Sequence, residues 1–254
     1  MESDFSDFIK KVLIIGSKGA MGSFFMNLFK DFDLQVYGVD KPLKICENHL
    51  DTDIILLCTP LRAFEDVLKT LSLYFKKPIL IDICSVKIEP IKIMSSMYEG
   101  PIVGTHPLFG PKPEKDDLKI AMVKVKGDDE FKIVFNFFKS VGLRPFECSA
   151  EEHDLIMAYI QGLNFITTVT YFASFWDEIP FERLKEFITP SFKKRMIASR
   201  KLLLENGSLF IDLFENNPYS TQAVDRFKKF LNLAVEKDLN SMFKRTNQWF
   251  FDGA

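Results

Sequence analysis

Apolar residues recur in the first half of this chain as short unbroken runs, separated by stretches with helical spacing. Lys11–Gly16 (K-V-L-I-I-G), Ile54–Pro60 (I-I-L-L-C-T-P) and Pro78–Cys84 (P-I-L-I-D-I-C) have the continuous hydrophobicity of strands covered on both faces. Between them, Met21, Phe24, Phe25 and Leu28 share one helical face over residues 20–31, and Phe64, Val67, Leu68 and Leu71 share another over 61–76. Further strand-like runs at Leu34–Asp40, Pro101–His106, Ala121–Lys126 and Leu143–Cys148, with a helix at 129–141, continue the alternation. Repeated strand-helix-strand units predict an α/β fold with a doubly wound, mainly parallel sheet.

The pattern changes near residue 149. Ser149-Ala150-Glu151-Glu152 has the form of a capping box, and Leu155, Ile156, Tyr159, Ile160, Leu163 and Ile166 follow at helical intervals. From there the chain reads as helices and connectors, broken at Pro180, Pro190 and Pro218. The expected organisation is a sheet domain over residues 1–149 followed directly by an all-helical domain over 150–254.

Composition narrows the classes. With 254 residues, 47% hydrophobic and 27% charged, the chain has an ordinary globular make-up, and a net charge of -2 gives no basic surplus for nucleic acid. The 27 Phe imply aromatic surface buried in a core or between subunits, so a homodimer through the helical half is expected. Cys46, Cys58, Cys84 and Cys148 are scattered without metal-ligand spacing; buried free thiols and no metal are expected. Met1–Asp7 carries acids where a leader would carry bases, and no apolar run approaches membrane-spanning length. A cytoplasmic protein with no membrane partner is the expectation.

Candidate chemistry starts at Gly16-Ser17-Lys18-Gly19-Ala20-Met21-Gly22, between a strand and a helix. Glycines there let the backbone approach a pyrophosphate, and the amides and dipole of the helix start stabilise its charge, as in a Rossmann-type dinucleotide site. The register is offset: with Gly19 and Gly22 as the last two fingerprint glycines, Ser17 stands at the first and Gly16 just before it. Asp40 ends the next strand where a ribose-binding carboxylate is expected, which favours NAD over NADP; neighbouring Lys41 pulls the other way, and a solvated strand-end acid is the plainer alternative. Thr59-Pro60, Asp82 to Lys87 and His106 all fall at strand carboxyl ends, where ligands of such sheets bind. His106 is one of three histidines and opens the stiff run His106-Pro107-Leu108-Phe109-Gly110-Pro111.

The glycine turn, Asp82-Ile83-Cys84-Ser85-Val86-Lys87, the His106–Pro111 run, Glu152-His153-Asp154, Ala158-Tyr159-Ile160-Gln161 and Met196-Ile197-Ala198-Ser199-Arg200 together resemble the prephenate and arogenate dehydrogenases of tyrosine biosynthesis over nearly the whole chain. The resemblance implies oxidation of a cyclohexadienol by NAD with loss of carbon dioxide. It implies His106 as proton acceptor, Ser85 as its partner on the substrate hydroxyl, Arg200 on the ring carboxylate, and Lys87 and Gln161 near substrate or cofactor. Residues 16–22, Asp40, Thr59 and Pro60 would hold the cofactor. Plainer alternatives are a helix N-cap for Ser85, a solvated first-turn position for Lys87 and a surface position for Arg200. His153 and Asp154 are expected to be mainly structural, and His49 a surface residue. Phe165 stands where many members carry a histidine that binds the substrate side chain, which bears on the choice between prephenate and arogenate. A non-catalytic NAD-binding regulator and a β-hydroxyacid dehydrogenase are the competing classes.

Overall fold

The computed structural model describes residues 9–253 apart from 177, 206 and 237; the acidic stretch Met1–Asp7 lies outside them. By its internal contacts the chain divides into two units, Met1–Asp154 and Leu155–Ala254. The division falls inside a helix, beyond the Ser149 cap at which the sequence pattern changes.

The first unit is a seven-stranded sheet in the order β2-β1-β3-β4-β5-β6-β7, with β1 Lys11–Ile15, β2 Gln35–Val39, β3 Ile54–Leu57, β4 Ile79–Asp82, β5 Ile102–Pro107, β6 Lys119–Lys126 and β7 Arg144–Glu147. Neighbours run parallel except β5 and β6. The four fully buried residues of β3 and of β4 explain their unbroken hydrophobicity. Alternate side chains feed two cores. Val12, Ile14, Ile54, Leu56 and Ile81 pack with Phe25 and Phe29 of α1 (Ala20–Lys30) and with Phe137 and Phe138 of α4 (Asp128–Ser140). Leu13, Ile15, Ile55, Leu57 and Leu80 pack with Phe64, Leu68 and Leu71 of α2 (Phe64–Tyr74) and Met94 of α3 (Ile88–Met97). A Phe29–Phe137 contact at 5.4 Å between centroids ties α1 to α4, so part of the phenylalanine excess is core.

Two details set the ligand edge. Chain order reverses direction between β1 and β3, opening a crevice at their carboxyl ends. Phe109, just after β5, packs edge-on against Phe24 of α1 at 5.4 Å and fixes the loop that follows His106.

The α5 helix (Ala150–Met157) starts under Ser149, whose Oγ accepts from Glu152 N at 3.0 Å. It continues through a π-helical segment, Ala158–Leu163, into α6 (Asn164–Ala173). In the second unit α7 (Phe181–Leu184), α8 (Pro190–Arg200), α9 (Gly207–Asn216), α10 (Ser220–Val235) and α11 (Leu239–Gly253) follow, and no strand occurs among its described residues. The 24-residue stretch Ala150–Ala173 contains an 18-residue window of mean hydropathy 1.2, by length and composition long and apolar enough to cross a bilayer. This corrects the expectation that no segment approaches that length: polar residues are interspersed, so no unbroken run reveals it. Core helices of soluble proteins reach the same length and hydropathy, and the acidic start of this helix is folded into the first unit.

Candidate active site

Gly16 closes β1 at φ +86, and a Cβ there would meet Cys58 O at 2.6 Å. A Cβ on Gly22 would lie 2.1 Å from Gly16 O, so α1 can rest this close to the turn only with a bare backbone at that position. Gly16 thus does the turning that the fingerprint register assigns to Ser17, and Ser17 serves otherwise: its Oγ donates to Asp40 Oδ2 at 2.7 Å, joined by Lys18 N at 3.0 Å. The acid of β2 is therefore held against the glycine turn. Beside it opens a cavity of about 320 Å³ lined by Lys18, Asp40, Lys41, Lys44 and His49 among others. His49 is only 9% exposed and packs at a tilt against Tyr37, so it is not the surface residue expected; burial lowers its pKa. Thr59 Oγ1, after β3, is buried without a hydrogen-bond partner among the described residues. A cradle that side chains would fill, free amides at the start of α1, a positioned carboxylate and an orphan hydroxyl are what a dinucleotide requires, and residues 16–22, Asp40 and Thr59-Pro60 fit it.

A second cluster of polar groups lies at the carboxyl ends of β4 and β5. Asp82 is fully buried at the end of β4; its carboxylate accepts from Cys84 N at 2.8 Å and Thr105 N at 3.2 Å and pairs with Lys87 Nζ. Lys87 is 0% exposed and also donates to Thr105 O. The plainer expectation of a solvated first-turn lysine is corrected: Lys87 is buried and its ammonium is paired with an internal carboxylate. The cap of α3 also differs from expectation. Lys87, not Ser85, occupies the N-cap position, and Asp154 satisfies the helix start, accepting from Lys87 N at 2.7 Å and Ile88 N at 2.9 Å. Ser85 is spared that duty, and its hydroxyl makes no hydrogen bond among the described residues.

His106 is 4% exposed on β5. Its Nδ1 lies 2.9 Å from His153 Nε2, and His153 Nδ1 lies 2.8 Å from Asp154 Oδ1. Burial, then the neighbouring His153 and Lys87, hold the His106 pKa well below its ordinary value, so the ring is neutral. His153 therefore reaches His106 directly and Asp154 reaches it through His153, which sequence reasoning missed; the signal available was a histidine-acid pair in so histidine-poor a chain.

A pH dependence follows from this burial. Below the unfolded pKa of about 6.5 the unfolded chain binds a proton at this position that the native ring refuses, so the native state loses stability as pH falls. Urea unfolding at about pH 7.5 and 5.5 will show a loss of up to roughly 1.4 kcal/mol per pH unit from His106, with no change from it above about 7.

Gln161 and Arg200 belong to the second unit. Gln161 sits in the π-helical segment with Oε1 buried and unpartnered among the described residues. Arg200 ends α8 exposed, whereas nearby Arg195 is occupied over the Tyr171 ring at 3.5 Å. Phe165 is buried and stacked on Phe210 at 5.7 Å.

Comparison with known proteins places these features in context. Residues 34–142 match the family model described as prephenate dehydrogenase, nucleotide-binding domain. The T-protein of Enterobacter agglomerans is 26% identical over 261 residues, covering 97% of this chain and 69% of that protein. The crystal structure of prephenate dehydrogenase from A. aeolicus, in complex with hydroxyphenyl propionate and NAD+, superposes with a TM-score of 0.79 at 19% identity, covering 96% of this chain and 97% of that one. Synechocystis arogenate dehydrogenase superposes with a TM-score of 0.74 at 17% identity, over 96% and 100% of the two chains.

Proposed function

We propose that this chain is a member of the prephenate and arogenate dehydrogenase family and that it oxidises prephenate with NAD, releasing carbon dioxide and 4-hydroxyphenylpyruvate. The observation that carries the proposal is the neutral, buried His106 on the same sheet edge as the glycine turn. NAD, held by residues 16–22, Asp40 and Thr59-Pro60, would supply the acceptor for the carbinol hydrogen and its electron pair. His106 accepts the hydroxyl proton as that pair departs; when the bond to the carboxylate breaks, its electrons complete the aromatic ring and the oxygen takes the proton back from His106 as the phenol. Ser85 supplies a hydroxyl to the same substrate oxygen. For Arg200 the proposed role is a forked guanidinium on the ring carboxylate, and for Gln161 a contact to substrate or cofactor; both roles rest on the family resemblance.

Arogenate carries an amino group where prephenate carries a keto oxygen and undergoes the same chemistry. Phe165, apolar at a position where many members hydrogen-bond the side chain, is what retains it as the second substrate. Absorbance of reduced nicotinamide with each substrate, and with NAD or NADP, is the deciding assay. Turnover of prephenate with NAD is expected; turnover of neither substrate would leave a non-catalytic NAD-binding protein. Arg200→Ala will raise the substrate KM by the equivalent of about 2–3 kcal/mol, and an unchanged KM would return Arg200 to the surface.

We further propose a cytoplasmic homodimer. The four cysteines are free, as a reducing compartment requires. Leu231, Val235, Leu239, Phe243, Trp249 and Phe250 are exposed on α10 and α11, an apolar load that a second copy would cover. Sedimentation will return twice the chain mass, and Phe243→Asp with Phe250→Asp will return one.

A further inference from the structure

We propose that His153, held by Asp154, determines which nitrogen of His106 carries the proton, so that His106 presents a bare Nε2 to the substrate hydroxyl. The proposal rests on the assignment of His106 as the proton acceptor and adds two positioning residues to it.

The argument follows the hydrogen bonds outward from Asp154. Its carboxylate accepts from the amides of Lys87 and Ile88 at the start of α3, where the helix dipole favours negative charge. An ionised carboxylate has no proton to donate. His153 Nδ1, 2.8 Å from Oδ1, must therefore be the donor. At about pH 8, where an ordinary imidazole carries a single N–H, His153 spends that hydrogen on Asp154 and its Nε2 is left as an acceptor. His106 Nδ1, 2.9 Å away, then has to donate to it. His106 is buried and neutral, and with its proton spent on Nδ1 its other nitrogen is a free base. The reverse arrangement, a proton on both nitrogens of His153, would turn His106 round electronically and leave Nε2 carrying the hydrogen, unable to accept one.

One carboxylate thus does two things at once. It caps α3, immediately after the loop that carries Ser85, and it anchors the ring that orients His106. All these groups are buried, so water does not compete for the same bonds. In a serine hydrolase, loss of the residue that fixes the histidine tautomer lowers turnover by about 10⁴.

Nitrogen-15 NMR of the histidine-labelled chain at about pH 8, where an unperturbed imidazole is neutral, reads the ring protons directly. His106 is expected to show a protonated Nδ1 and a bare Nε2. His153→Phe removes the acceptor at similar bulk; it should shift His106 toward the Nε2–H form and lower kcat by about 10²-fold or more with little change in KM. His153→Gln retains a carbonyl toward His106 and an N–H toward Asp154, and should keep the wild-type tautomer and most of kcat. A protonated Nε2 on wild-type His106 overturns the proposal even if prephenate is turned over. Equal loss of kcat in the Phe and Gln variants, with the His106 tautomer unchanged in both, also overturns it. A protonated Nδ1 in a chain that oxidises neither substrate leaves the tautomer lock standing and removes the dehydrogenase assignment instead. If His153→Phe does not fold, the wild-type spectrum and the Gln variant still decide.

Discussion

Replacing His106 by Asn lowers kcat by roughly 10² to 10⁴ and leaves KM close to wild type. Asparagine is small enough for the site and keeps a hydrogen-bonding side chain beside His153, but its amide has no basicity near neutrality. The proton on the substrate hydroxyl then has to leave for water from a buried position. Because His106 holds no formal charge in the native protein, its removal takes away no ion pair that would bind the substrate in the ground state. The loss therefore falls on the chemical step. Steady-state kinetics with prephenate and NAD, together with circular dichroism to verify folding, make the comparison. Unaltered turnover in a folded variant would exclude His106 from the mechanism.

The second large effect concerns stability. Lys87→Met leaves the Asp82 carboxylate buried with its two backbone donors but without its counter-charge, and is expected to cost about 3–5 kcal/mol in urea unfolding. Methionine follows the lysine stem closely in volume, so the loss reports the ion pair rather than a cavity. Adding Asp82→Asn to Lys87→Met removes the orphan charge while retaining an acceptor, and should recover a large part of the loss. A Lys87→Met variant within about 1 kcal/mol of wild type would mean that the pair contributes little. Lys87 would then again be open to a role at the cofactor or substrate.

The sheet was legible in the sequence because both its faces are covered. Burial on two sides forces the continuous apolar runs of β3 and β4, and the Phe25, Phe29, Phe64 and Leu68 faces of the covering helices follow the same necessity. The glycine turn was legible for a similar reason, since Gly16 and Gly22 admit no side chain. What the sequence hid were side-chain pairings, one across a short turn and others between residues far apart. Nothing local distinguishes a lysine that ends in water from Lys87, whose partner Asp82 is brought to it by a turn. Nor does any local pattern distinguish a serine that caps a helix from Ser85, whose place as cap is taken by an acid 66 residues downstream of Ile88. His153 and Asp154 were visible as a specific stretch, but their contact with His106 depends on the first turn of α5 reaching β5.

That same turn governs where the chain can be cut. A recombinant nucleotide-binding half that stops at 149, as the change in pattern suggests, would lack His153 and Asp154, strip two amides at the head of α3 of their acceptor and leave the His106 ring unsupported. A fragment carried through the opening of α5 would keep all three. Dissection of this protein should follow its hydrogen bonds across the apparent border rather than the border itself.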